Sequence, residues 1–362
     1  MCEVGPSYKE YVSKDGTILV KMKKDLYGLI KAPKRWNVQI ADLLRKFGFQ
    51  QHPLEPCVFV YKADDGVCYL LLYIHRLYQR SPAGARQGLY QQSLPWYQLE
   101  RRQSAWLSGP GDRPDVAKLS MTGYIKDLLE TTGTIGYADS PAGPHLFEVC
   151  PDEEAELLDK AAAKSFHTVV MKCHYLAKRM RFEILTAVAG LATRVQNPDL
   201  DDKLKLNRLL CYLNKVKEQL LKIRIDPAMQ ITAYIDASYA VHSNMMSLGG
   251  MCITMGSGCS LAKPYQIKLS TKSSTESELV AASDNLGEAL FIHEFLTLLG
   301  YKLLPVLFLE NNMSTIALIK NGRPESDASR HIKIRYYWVH HRAEVGDVIL
   351  QHCSTEDMLA VY

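Results

Sequence analysis

Gln230-Ile231-Thr232-Ala233-Tyr234-Ile235-Asp236-Ala237-Ser238 is the stretch on which the fold turns. Its β-branched and aromatic residues describe a strand, and the strand delivers one acid, Asp236, at its end. The residues that follow extend the pattern. Gly249-Gly250-Met251-Cys252-Ile253-Thr254 reads as a second strand and Tyr265 to Leu269 as a third. Ser273-Ser274-Thr275-Glu276 has the form of a capping box, opening a helix to about Leu299 with Gly300 as its stop. Val306-Leu307-Phe308-Leu309 is a short buried strand. A helix from Met313 to Lys320, ended by Asn321-Gly322, completes a β-β-β-α-β-α order.

Working upstream, Ser165 to Lys222 reads as helical, preceded by an acidic stretch from Glu148 to Asp159. The segment from His75 to about Lys118 follows neither the strand nor the helix period, and Arg, Gln, Ser, Pro and Gly are frequent in it. Further upstream, Trp36, Ile40, Leu43, Leu44 and Phe47 repeat with helical spacing up to Gly48. Trp36 begins that apolar stripe and is expected in a core. Cys57 to Tyr61 and Val67 to Ile74 then form a hairpin about a turn at Asp64-Asp65-Gly66.

The composition bounds the answer loosely. A chain of 362 residues, 47% hydrophobic and 23% charged, has room for two or three domains with cores of their own. A net charge of +4 is compatible with nucleic acid without arguing for it. The nine cysteines show no C-x-x-C pair, so reduced thiols are expected and neither a zinc site nor a disulfide-linked partner is. No signal peptide and no run long enough to span a bilayer are evident, which points to a cytoplasmic or nuclear protein without a membrane partner.

Leu26-Tyr27-Gly28-Leu29-Ile30-Lys31-Ala32-Pro33-Lys34-Arg35-Trp36-Asn37 resembles the hallmark of reverse transcriptases from copia-type LTR retrotransposons. In that family a hairpin then leads to Tyr-Val-Asp-Asp at the polymerase centre. Here Leu70-Leu71-Leu72-Tyr73-Ile74 runs into His75-Arg76, and only 25 residues precede the hallmark. Asp25 occupies a position the family does not use. Leu119 to Leu129, Tyr175 to Arg181 and Leu191 to Val195 also resemble the family, although Arg181-Phe182-Glu183-Ile184 stands where it usually has Arg-Pro-Asp-Ile.

Tyr234 to Ser238, Ser273 to Leu279 and Arg330-His331-Ile332 resemble the ribonuclease H domain that follows reverse transcriptase in these elements. The resemblance implies a cofactor, Mg2+ or Mn2+, held by carboxylates, because hard divalent ions take oxygen ligands. It assigns Asp236 and Glu278 as catalytic metal ligands, with Glu276 left to the cap. Asn311 takes the third acid's place, a degenerate position. Its neighbour Glu310 is expected to point to the opposite strand face. The fourth acid would follow Ala360, where the chain reads Val361-Tyr362.

The expected fold is therefore a multi-domain α+β and α/β chain. Residues 1–74 would be a partial reverse transcriptase palm and 75–118 a divergent segment, out of frame or disordered. Residues 119–222 would be a helical, thumb-like connection, and 223–362 a ribonuclease H-like mixed sheet flanked by helices. The resemblance implies RNA-directed DNA synthesis and cleavage of RNA–DNA hybrids. The residues imply a degenerate enzyme. A non-catalytic nucleic-acid-binding module, a weak hybrid ribonuclease and a decayed gene product stay open. Candidate nucleic-acid contacts are Lys31, Lys34 and Arg35, then Lys268, Lys272 and Ser273 beside the ribonuclease H site.

Overall fold

The computed structural model describes residues 32–63, 66–73, 76–80, 116–151, 153, 155–241, 244–322 and 330–360, together with 11 and 14. Most of the Leu26–Asn37 hallmark, the Asp64-Asp65 turn, His75, residues 81–115 and Val361-Tyr362 lie outside these. The chain divides into two units, Met1–Arg101 and Arg102–Tyr362, each with its own core.

In the first unit, helix α1 (Ala32–Lys46) turns the spacing of its apolar residues into a single buried stripe. Ile40, Ala41 and Leu44 are buried against Phe59, Leu70 and Leu72, with Trp36, Leu43 and Phe47 packed around them. Gly48 ends the helix at φ +87°, a left-handed conformation costly for any residue with a Cβ. Strands β1 (Gln50–Gln51), β2 (Val58–Ala63), β3 (Gly66–Tyr73) and β4 (Arg76–Arg80) form an antiparallel sheet in that order. On β3, Leu70 and Leu72 are buried and Leu71 is exposed, the alternation of a half-covered strand. Strand β4 comes from the start of the segment that follows neither period, and its backbone pairing with β3 defines it.

In the second unit, the stretch from Ser165 to Lys222 is broken into several pieces. Helices α2 (Thr122–Thr132), α3 (Lys160–Ala177), α4 (Leu185–Thr193) and α5 (Leu200–Lys215), with a 3-10 turn at Phe182–Ile184, enclose one core. Arg181 forces the first break. Its buried guanidinium donates to Glu183 and to the Val216 carbonyl, fixing a non-helical corner. Asp199 forces the second, through a capping box with Asp202 that Arg194 bridges at 3.2 and 3.0 Å. Lys222 itself lies in strand β6 (Leu221–Ile225), which pairs with β5 (Val116–Leu119) and β9 (Gly256–Ser257).

The sheet that carries the site has strand order β10-β8-β7-β11-β12. Strand β7 (Thr232–Ser238) pairs antiparallel with β8 (Leu248–Thr254), which pairs antiparallel with β10 (Cys259–Gln266). On the other side β7, β11 (Val306–Glu310) and β12 (Val348–His352) run parallel. The long helix α6 (Ser274–Leu298) buries Leu279, Val280, Ala282, Leu286 and Ala289 against Ile231, Ala233, Ile235 and Phe308. Helices α7 (Met313–Asn321) and α8 (Arg330–Glu344) follow β11. The third strand thus ends where Tyr265 to Leu269 had been expected to begin. Gly256 (φ +129°) and Gly258 (φ +84°) turn the chain back early, and a Cβ on Gly258 would lie 2.0 Å from the Lys222 carbonyl oxygen.

Candidate active site

Parallel pairing of Leu307 with Thr232 and Leu309 with Tyr234 carries the end of β11 to the level of Asp236. From the other direction comes α6, whose start is held by hydroxyl groups. Ser273 caps it by accepting from Glu276 N at 3.2 Å. Glu276 reaches back to Lys272 N at 2.7 Å, one residue short of the reciprocal bond of a full capping box. Buried Ser277 bonds Thr271 Oγ1 at 2.7 Å and Ser247 Oγ at 3.0 Å, tying the helix's first turn to β8 and the preceding loop. Glu278 follows directly, so its carboxyl is delivered onto β7.

Asp236, Glu278 and Glu310 are all buried and all act on one another. Glu278 hydrogen-bonds Asp236 and also accepts from the Ala237 N–H. Burial, then the charges of Glu310 and Asp236, push the Glu278 carboxyl up to about 10, so at neutral pH it is the proton-bearing partner. Burial also raises Asp236, against the stabilising amide of Asn311, the Ala237 N–H and the Glu278 bond. Glu310 is pushed up to about 8, by burial first and by Asp236, against N–H bonds from Asn312 and Asn311.

The structure places Asp236, Glu278 and Asn311 near enough to act on one another. Glu310, expected to point to the opposite strand face, is buried and lies near enough to Asp236 and Glu278 for its charge and theirs to interact. Alternation sends neighbours to opposite faces only while the strand continues, and β11 ends at Glu310. From there the chain turns into the cap of α7, where Asn312 Oδ1 accepts from Ser314 N and Thr315 N. Asn311 and Glu310 can then both act on Asp236. A buried acid closing a strand beside the degenerate position was the signal in the sequence.

Lys268, Lys272 and Ser273 are exposed on the approach to α6, although the Ser273 hydroxyl is engaged as a cap. Lys34 and Arg35 are exposed on α1 in the first unit; Lys31 lies outside the described residues. Trp36 is half-buried and packs against the α1 core, as its place in the stripe predicts.

Among the described residues, no group of three or more His, Cys, Asp and Glu side chains is placed so that it could hold a metal ion. The donor chemistry nevertheless suits a hard cation. Glu278 Oε2 and Glu310 Oε2 are buried carboxylate oxygens without a hydrogen-bond partner, next to Asp236.

No family model matches the chain. Among curated proteins it is 26% identical to the retrovirus-related Pol polyprotein from transposon RE1 of Arabidopsis thaliana, over 97% of the chain and 24% of that protein. The chain is a relative of copia-type transposon Pol polyproteins. A second such Pol polyprotein, from transposon TNT 1-94 of Nicotiana tabacum, is 23% identical over 94% of the chain and 26% of its own length. The putative transposon Ty5-1 protein YCL074W of Saccharomyces cerevisiae is 24% identical over 73% of the chain and 87% of its length. The chain thus spans about a quarter of the length of the first two copia-type relatives. Among solved structures, the foamy viral protease-reverse transcriptase in complex with RNA/DNA hybrid matches 91% of the chain and 39% of its own, at 12% identity and a TM-score of 0.47. LC11-RNase H1 matches 35% of the chain and 86% of its own, at 16% identity and a TM-score of 0.27. No helix among the described residues is long and apolar enough to cross a membrane.

Proposed function

We propose that residues 223–362 are a ribonuclease H-type unit that engages RNA–DNA hybrids, with a cation-dependent cleavage step weakened by Asn311. In this reading, residues 119–222 are a thumb-like connection and residues 1–74 derive from a polymerase palm that lacks its centre. One observation carries the reading: Asp236 on a strand and Glu278 on a helix converge, buried and hydrogen-bonded, beside the Asn311 amide.

Asp236 and Glu278 would hold the divalent cation, which supplies water activation and stabilisation of the leaving oxygen. The chain's own part is positional. The Asn311 amide favours the ionised form of Asp236 against the burial that raises it, but as a neutral group it adds no charge toward a cation. The hydroxyl bonds of Ser277 hold the start of α6, and with it Glu278, against β7. Lys268 and Lys272 stand where a phosphate backbone would approach the start of α6, whose positive dipole end adds to their attraction. Lys34 and Arg35 are a separate set of phosphate contacts on α1. For the first unit, His75-Arg76 in place of paired aspartates argues against DNA synthesis.

Fluorescence anisotropy with a labelled RNA–DNA hybrid, and with a DNA duplex of the same sequence, tests the reading. Hybrid should bind more tightly. The double variant Lys268→Ala/Lys272→Ala should lower the slope of log affinity against log salt by about two, near one per lost phosphate contact. Equal affinity for both duplexes with an unchanged slope would refute it.

A further inference from the structure

Cys252 on β8 and Cys259 at the start of β10 are free thiols whose sulfurs share a hydrogen bond at 3.2 Å. Register explains how they meet. Ala262 pairs with Cys252 and Leu261 with Ile253. An unbroken ladder would then set Ser260 opposite Thr254 and Cys259 opposite Met255, on the face away from Cys252. Instead the register shifts between Cys259 and Leu261, and Cys259 stands opposite Thr254. That one-residue bulge moves the Cys259 side chain to the face that carries Cys252. The sulfurs already touch, and a disulfide bond needs them about 2.05 Å apart, about 1 Å closer. Cys252 is buried and Cys259 half-buried, so one side of the pair is open to a small reagent.

We propose that Cys252 and Cys259 are a redox modification site, a dithiol that a small disulfide of the glutathione class oxidises reversibly to an intramolecular disulfide. One sulfur of the pair, as thiolate, attacks a sulfur of oxidised glutathione, forming a mixed disulfide and releasing one glutathione thiolate. The second protein sulfur gives up its proton, attacks the protein sulfur of the mixed disulfide, and releases the second glutathione. Two protein thiols lose two electrons and two protons, and oxidised glutathione becomes two thiols. The hydrogen bond from Cys259, ahead of burial, favours the ionised form of Cys252, the form that starts the exchange. The closed ring runs from Cys252 to Cys259 and contains β9, whose Gly256 and Ser257 pair with Ile225 and Arg224 of β6. Oxidation therefore pins the β8–β10 turn that pairs with β6.

The test is the closure equilibrium of the full chain in buffers of reduced and oxidised glutathione, quenched with acid, alkylated and read by mass spectrometry. Tryptic cleavage after Arg224 and Lys268 yields a peptide with these two cysteines and no other. That peptide should lose two hydrogens and resist alkylation, and dithiothreitol should reverse both changes. The closure constant should be at least about tenfold larger for the folded chain than for the same chain in guanidinium chloride, because the fold holds the sulfurs in contact. A constant no larger in the folded chain overturns the proposal. So does a folded chain in which either cysteine gathers a single glutathione adduct instead of closing.

Discussion

Replacing Glu278 by Gln should stabilise the second unit at neutral pH in the absence of divalent ions. Glu278 is almost wholly buried, and its carboxyl is raised from the ordinary value of 4.5 to about 10. The folded chain therefore keeps a proton that the unfolded chain releases above about pH 4.5. The stability this proton supports is full below that pH and is lost as pH rises toward about 10. Each pH unit inside the window costs about 1.4 kcal/mol for one such group. Between about pH 5.5 and about pH 7.5 the unaltered chain should lose about 2.7 kcal/mol that Glu278→Gln does not, because an amide has no proton to lose. Glu310, raised to about 8, adds a slope of its own to both proteins. The chain has more than one unit, so a single unfolding midpoint is the wrong reading. Hydrogen exchange of amides in β7 and α6, in EDTA, reports the opening free energy locally. Parallel pH profiles for the two proteins, within about 0.5 kcal/mol, would refute the reasoning.

Two predictions concern the frame around the site. Arg194→Ala leaves the buried carboxylates of Asp199 and Asp202 without their shared cation, and should destabilise the helical core by about 3 kcal/mol, the usual cost of breaking a buried ion pair from one side. Urea unfolding followed by far-UV circular dichroism reads this, and a loss under about 1 kcal/mol would mean that solvent already screens the network. Gly258→Ala places a Cβ against the Lys222 carbonyl at φ +84°, so it should cost about 2 kcal/mol or more and speed exchange of the β6 amides. Exchange in β6 equal to that of the unaltered chain would show that the turn yields without strain.

The parts of the fold that were legible in the sequence are those where local pattern and tertiary packing agree. The stripe Trp36, Ile40, Leu44 and Phe47 states the buried face of α1. Strands β7 and β8 are apolar enough to be read without knowledge of their partners, and Gly322 marks the end of α7. Other elements exist because of their pairing. Cys259 to Gln266 contains Pro264 and lacks clean alternation, so only its register with β8 reveals β10. Arg76 to Arg80, reading Arg-Leu-Tyr-Gln-Arg, is too short to show a period and is a strand through its bonds to β3. Among the described core residues of α8, Val339 is buried and Trp338 partly so, which leaves a weak periodic signal. Within the site, Asp236, Glu278 and the substituted Asn311 were legible because family likeness assigns roles to spacings. Glu310 was not, because strand alternation says which face a side chain leaves from and not which charges it lies near.

The account stands on the claim that Asp236, Glu278 and their neighbours at the end of β11 form a working remnant of a hybrid-cleaving site. Cleavage of an end-labelled RNA–DNA hybrid in Mg2+ or Mn2+ tests it, comparing the chain with Asn311→Asp and with Asp236→Asn. The account predicts slow cutting of the RNA strand by the chain, a rate at least about tenfold higher in Asn311→Asp, and none in Asp236→Asn. Cutting that survives Asp236→Asn, or an Asn311→Asp variant that binds hybrid yet cuts no faster than the unaltered chain, would contradict it.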